Sequence, residues 1–210
     1  RELRNESFDY VVDLHNNLRS ARIRLALGKP SGVFPKLNIE KWLLVNFKVN
    51  RLPDLHIVDR YFMAASALKI KNDGKGLDYF IPEECRSFPP EYPDEFRKGF
   101  IAFSIGGLHA TKRMPNHKIV AICRSLTRPV VLLGGPADRD NAEDILRQCG
   151  PGVYNACGRL SLNTSAFVIS QADAVITHDT GLMHIAAALG KTIVSVWGNT
   201  VPAFGMSPYM

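Results

Sequence analysis

A chain of 210 residues that is 46% hydrophobic and 22% charged, with a mean hydropathy of −0.05, has the make-up of an ordinary soluble protein, with core enough for one large or two modest domains. No apolar run approaches the roughly 18 residues of a membrane helix, and no signal-peptide pattern is visible at the start, so neither a spanning nor a secreted class is indicated. Residues 1–72 hold 13 Lys/Arg against 7 Asp/Glu while residues 73–210 hold 13 of each, so the net charge of +6 belongs to the first third, which forms either a solvated face or a surface for an anionic partner.

The chain begins at Arg1 in mid-pattern, and a piece of a longer protein is expected. Phe8–Leu14 reads as a strand of a parallel sheet, followed by the polar His15-Asn16-Asn17 and a basic helix from Leu18 to about Leu27 that Gly28 ends. Arg19, Arg22 and Arg24 lie in that helix, and Glu40 alone opposes the run of cations from Arg19 to Arg51. Residues 31–55 are less regular. Trp42 to Phe47 forms an apolar cluster on a possible helix and is expected to be core. Ile57–Leu68 reads as an amphipathic helix, with Arg60 projecting from its other side. From Lys71 to Lys98 the pattern dissolves into Gly, Pro and charge, which suggests an inter-domain connection.

A regular series follows. Strands are expected at 100–105, 129–133, 153–156, 174–177 and 192–197, with helices between them at about 116–127, 138–149, 162–171 and 181–189. This alternation predicts crossover units and a parallel sheet covered on both faces. Every strand ends in glycine or small polar residues, at the edge where such sheets bind ligands.

Two of these edges carry chemistry. After 174–177, His178-Asp179-Thr180-Gly181 opens a helix whose first N–H groups can receive an anion; simple capping by Asp179 and Thr180 is the plainer reading. After 100–105, Gly106-Gly107 leads to Thr111-Lys112-Arg113 and Pro115, a hydroxyl and two cations suited to a pyrophosphate. The loop matches neither GxGxxG nor a P-loop. Asp138-Arg139-Asp140 spells DxD, but its place in a helix's first turn favours capping over metal binding, with Asp138 in reach of a ribose hydroxyl. His184 lies one turn into the helix after Asp179. Cys85, Cys123, Cys149 and Cys157 have no CxxC spacing and read as reduced thiols; there is no HExxH, and no metal is assigned.

These residues, together with Gly134-Gly135-Pro136-Ala137-Asp138 and Leu182-Met183-His184 running into Ala186-Ala187-Ala188-Leu189-Gly190, resemble the ADP-heptose:lipopolysaccharide heptosyltransferases of glycosyltransferase family 9. The opening strand with Arg19-Ser20 is similar to a stretch of that family's acceptor-side domain. The resemblance implies an α/β fold of GT-B type, two Rossmann-like domains with parallel sheets and the N-terminal one incomplete. The domains are expected at 1–97, acceptor-side with linker, and 98–210, donor-nucleotide-binding. It implies inverting, metal-independent transfer of a heptose or similar sugar from an ADP-sugar, which is a substrate rather than a cofactor, to a lipopolysaccharide core-type acceptor. By position, Gly106, Thr111, Lys112, Asp138, Leu160, Asp179, Thr180, Gly181 and His184 would serve the donor: Thr111 and Lys112 at the pyrophosphate, Asp138 at the ribose, Leu160 against the adenine. Arg19 would face the anionic glycolipid acceptor. A cytoplasmic location at the inner membrane surface is expected, with no nucleic acid as partner.

The resemblance puts the catalytic base in a Gly-rich loop upstream of Arg1, and the family continues past Trp197-Gly198-Asn199-Thr200, with Asn199 standing where proline is usual. Little or no transferase activity is therefore expected of these 210 residues alone. Two other readings remain open at this level, a GT-B enzyme using another nucleotide sugar and a non-catalytic module that binds nucleotide or anionic glycan.

Overall fold

The computed structural model describes residues 2–107 and 109–210. The chain divides into two compact units: one runs to Lys75 and takes in Ala203–Met206, and the other comprises Gly76–Pro202 and Ser207–Met210.

In the first unit a short helix α1 (Glu2–Asn5) precedes strand β1 (Val11–Asp13), helix α2 (Leu18–Leu27) and strand β2 (Ser31–Val33), and the two strands pair in parallel. The polar turn after β1 is a structural device. Buried Asp13 accepts the N–H groups of His15 and Asn16 at 3.0 and 2.7 Å and Arg24 Nε at 2.9 Å. Burial pushes its carboxyl up, but the bonds from Asn16, Ser20 and His15 and the Arg24 charge outweigh burial and hold it below the usual carboxylate value. Asn17 and Ser20 then form a reciprocal capping box that starts α2, and Gly28, at φ 63°, ends it.

Strand β2 has no counterpart in the sequence reading, because three residues with a central glycine give no alternation to detect. Gly32 is there for space: a Cβ would run into the carbonyl of Ala64. Helix α3 (Asn38–Phe47) forms, but its aromatic cluster is not core. Trp42 and Phe47 are 55% and 60% exposed and stack edge-on at 5.1 Å, since a two-stranded sheet offers too little surface to cover them. Helix α4 (Ile57–Ala64) stops before the expected Leu68, where Ala65 N–H turns back to Phe62 and a separate 3₁₀ turn covers Ser66–Leu68. Arg60 does not project outward. It is 1% exposed, donates Nη2 to the Phe204 carbonyl at 2.7 Å and lies over the Phe34 ring.

The second unit holds a five-stranded parallel sheet. Its strands are β3 (Ile101–Ser104), β4 (Val130–Leu133), β5 (Val153–Asn155), β6 (Ala174–His178) and β7 (Ile193–Val196), in the order β5-β4-β3-β6-β7. Helices α5 (Asn116–Ser125) and α6 (Arg139–Cys149) send Ile119, Cys123, Ala142 and Ile145 into one core, with Phe103, Val130 and Leu132 from the sheet. Helices α7 (Leu162–Gln171) and α8 (Gly181–Ala188) send Val168, Ile169 and Ala186 into the other, with Phe100, Val131 and Leu133. Alternate residues of β4 thus face opposite layers, which is why Val130–Leu133 is apolar throughout. The α/β class with parallel sheets is as expected.

Residues 88–96, read as part of a connection, pack here instead. Phe88 meets Tyr92 at 4.7 Å, the three rings Phe88, Tyr92 and Phe96 stack with Phe167 or Tyr154 at centroid distances of 4.9–5.5 Å, and Tyr92 and Phe96 are buried in the core. Prolines break any period between these anchors, so their burial leaves no pattern in the sequence. The four cysteines are free thiols, and burial pushes Cys123 and Cys157 up to about 12, so both pack as neutral groups. Among the described residues no helix is long and apolar enough to cross a membrane.

Candidate functional site

Counted from β3 outward, the strand order reverses direction between β3 and β6, the place where two neighbouring crossovers leave a crevice at the strands' carboxyl ends. A cleft of about 580 Å³ opens there, within the second unit. Its floor is Ser104 at the end of β3, Gly106 and Gly107 after it, and Gly134-Gly135-Pro136 after β4. Asp179, Thr180 and Gly181 after β6 form one wall, with Lys112 beside them. Leu160, Leu162 and Leu182 supply an apolar surface.

The polar wall is organised by one carboxylate. Asp179, 8% exposed, accepts Lys112 Nζ at 2.6 Å and the Thr200 hydroxyl at 3.0 Å through the same oxygen. The plainer sequence reading, in which Asp179 and Thr180 cap α8, does not describe this geometry. Thr180 is the N-cap residue, yet its side chain makes no capping bond, and its hydroxyl lies 3.4 Å from that of Thr177. No side chain caps the positive end of α8 at the cleft, beside the Lys112 ammonium. Both features favour an anion between them.

The segment that carries Lys112 is held from several directions. Arg113 Nε donates to the Gly107 carbonyl at 2.6 Å, closing the loop on itself. The Thr111 carbonyl accepts Asn199 N–H at 3.2 Å. Met114 N–H donates to Nε2 of His178 at 3.1 Å. On the floor, Asp138 is 7% exposed and turned inward: Oδ2 accepts Gly135 N–H at 2.9 Å and Oδ1 lies 3.8 Å from Arg113. Gly106 is required beside it, because a Cβ there would come within 2.5 Å of Asp138 Oδ2.

The structure therefore gathers Gly106, Lys112, Asp138, Leu160, Asp179, Thr180 and Gly181 around one cleft. Thr111 and His184 do not line it. Thr111 is exposed, and its main-chain carbonyl accepts Asn199 N–H; His184 is half-buried on α8. Arg19 belongs to the first unit and is exposed on α2. His109, Leu162 and Ser165 line the cleft without having been singled out, and nothing in their spacing marks them. Among the described residues, no group of three or more His, Cys, Asp or Glu is placed to hold a metal ion.

Burial pushes the His178 imidazole below the ordinary histidine value, the Gly106 carbonyl and Asp138 pulling up and Arg113 down. An unfolded chain takes up that proton near pH 6.5, whereas the folded chain resists it to lower pH, so stability is lost as pH falls through 6.5. Melting temperatures measured between about pH 7 and pH 5 should fall more steeply for the wild type than for His178→Gln, which has no proton to gain there. Parallel curves would show that His178 does not contribute.

The sequence model of glycosyltransferase family 9 (heptosyltransferase) matches residues 1–209. Lipooligosaccharide heptosyltransferase 2 of Haemophilus influenzae is 33% identical over 226 residues, and lipopolysaccharide heptosyltransferase 2 of Escherichia coli is 30% identical over 219. The alignments take in 95% and 96% of this chain and 63% of each relative, so the chain spans under two thirds of their length. The crystal structure of a family 9 glycosyltransferase from Veillonella parvula superposes with a TM-score of 0.73 at 23% identity, over 100% of this chain and 63% of that one. That likeness is one of fold, and the fold is the GT-B type expected.

Proposed function

The chain belongs to glycosyltransferase family 9, and on that premise we propose that its protein transfers a heptose or similar sugar from an ADP-sugar to a lipopolysaccharide core-type acceptor, with inversion and without a metal. The observation that carries the donor half of this reading is the meeting of Lys112 and Asp179 at 2.6 Å beside the uncapped start of α8, at the reversal in strand order.

The chemistry follows from what such a transfer must handle. An acceptor hydroxyl attacks the anomeric carbon, the bond to the leaving phosphate oxygen breaks, and negative charge grows on a nucleoside diphosphate. Lys112 and the N–H groups at Gly181 and Leu182 supply fixed positive charge for that diphosphate, the role a divalent ion plays elsewhere. Asp179 and Thr200 orient the ammonium. The glycines on the floor let the diphosphate lie close to main chain, and Leu160 with Leu162 offers a flat apolar contact to the base. Asp138, with one oxygen already committed to Gly135, has its other oxygen for a ribose hydroxyl. Arg19 and the neighbouring cations of the first unit are assigned to the acidic acceptor, at the inner membrane surface; the general base is not among the residues assigned here.

Calorimetric titration of the 210-residue chain with ADP and with UDP tests the donor assignment. ADP should bind at least about tenfold more tightly, a difference of about 1.4 kcal/mol that the larger purine face can supply. Preference for UDP would shift the reading to a different nucleotide sugar. Failure to bind either would remove it.

A further inference from the structure

His178 is wholly buried at the end of β6, immediately before Asp179. Its Nε2 accepts the main-chain N–H of Met114 at 3.1 Å, across 64 positions of sequence. Accepting at Nε2 requires the neutral imidazole with its proton on Nδ1. Consecutive residues of one strand end thus hold one segment twice: His178 grips its main chain at Met114, and Asp179 grips its side chain at Lys112. The ring lies 6.5 Å from that of Phe103 on β3. Two charged groups act on it from other elements, Arg113 on the held segment and Asp138 before α6, together with the Gly106 carbonyl after β3; directly after its own strand the adjacent charge is Asp179.

We propose that His178 is a positioning residue for nucleotide binding, whose Nε2 fixes the 110–114 segment and thereby sets where Lys112 presents its ammonium to the donor diphosphate. The inference rests on the donor-site reading above and adds to it a residue that does not itself line the cleft. The physical reason is geometric. A lysine side chain is long and flexible, so an ammonium held only by Asp179 would follow any drift of its own backbone. A bond to the main chain two residues further on removes that drift. Protonation would undo it, because Nε2–H would then face Met114 N–H, donor against donor, and the segment would be released. Nucleotide affinity should therefore weaken in acid as this imidazole, depressed by burial, takes up its proton.

The test compares His178→Phe, which keeps a ring without an acceptor, with His178→Gln, whose side-chain oxygen can stand where Nε2 stands. ADP affinity should fall about five- to tenfold in the Phe variant and by less than about threefold in the Gln variant, both folded by circular dichroism. The fall of affinity in acid should be steeper in the wild type than in the Gln variant, where only protonation of the ADP phosphate remains. Hydrogen exchange gives a readout without nucleotide: the Met114 amide should lose protection in the Phe variant and keep it in the Gln variant. Unchanged ADP affinity and unchanged Met114 protection in the Phe variant would overturn the proposal while leaving the donor site intact. Equal losses in both variants would show a packing role and overturn it as well. A wild type that binds no nucleoside diphosphate would overturn both the proposal and the donor-site reading.

Discussion

Replacing Lys112 with alanine should weaken ADP binding by about a hundredfold. A charge-assisted bond to an anion contributes roughly 1.5–3 kcal/mol, and the upper part of that range applies because of what the substitution leaves behind. Asp179 is almost fully buried, and Lys112 is the cation that neutralises it. Without Lys112 the diphosphate would meet an uncompensated carboxylate at the wall of the cleft, so attraction is lost and repulsion gained together. Lys112→Ala with Asp179→Asn should accordingly bind better than Lys112→Ala alone, a non-additivity that a double-mutant cycle measures. Arg19→Ala should leave ADP affinity within about twofold, since Arg19 does not line the cleft. Comparable losses from Lys112→Ala and Arg19→Ala would contradict the assignment of Lys112 to the donor.

Gly198→Ala should damage the same site without removing a charge. A Cβ at this position would run into the Thr111 carbonyl and lie 3.5 Å from the Cα of Lys112. Both obstacles are backbone, which cannot swing aside as a side-chain tip can. Either the end of β7 or the 110–112 turn must move, and the bond from Asn199 N–H to Thr111 goes with it. Overpacking of this kind costs about 1–3 kcal/mol of stability, and the displaced turn carries Lys112 away from Asp179. Chemical denaturation should show the stability loss, and calorimetry a fall in ADP affinity of about tenfold. Gly152→Ala serves as the control, because a Cβ there meets nothing within 4 Å. If Gly198→Ala matched that control in both measurements, the contact between the two loops would have no bearing on the site.

Both predictions concern contacts that no local pattern announces. The sequence by itself determined the five-fold alternation of strand and helix in the second unit, because burial on two faces demands continuous apolar runs such as Val130–Leu133, and amphipathic helices demand their own period. It determined the glycine-rich and polar strand ends as well, since close approach to a ligand or a neighbouring loop restricts those positions to a few residue types. Resemblance added which of those ends belong to one site. The tertiary structure alone decided that β3 and β6 lie side by side, that Lys112 reaches Asp179 across 67 positions, and that Thr200 closes the same carboxylate. It decided that the Thr111 carbonyl meets Asn199, that Phe88, Tyr92 and Phe96 are core anchors and Trp42 is not, and that Arg60 turns inward to Phe204. The reason is one of range. A period of two or 3.6 residues records which face of an element is buried, but a partner 60 residues away is chosen by how the crossovers stack, and that choice leaves no mark on the spacing of either residue.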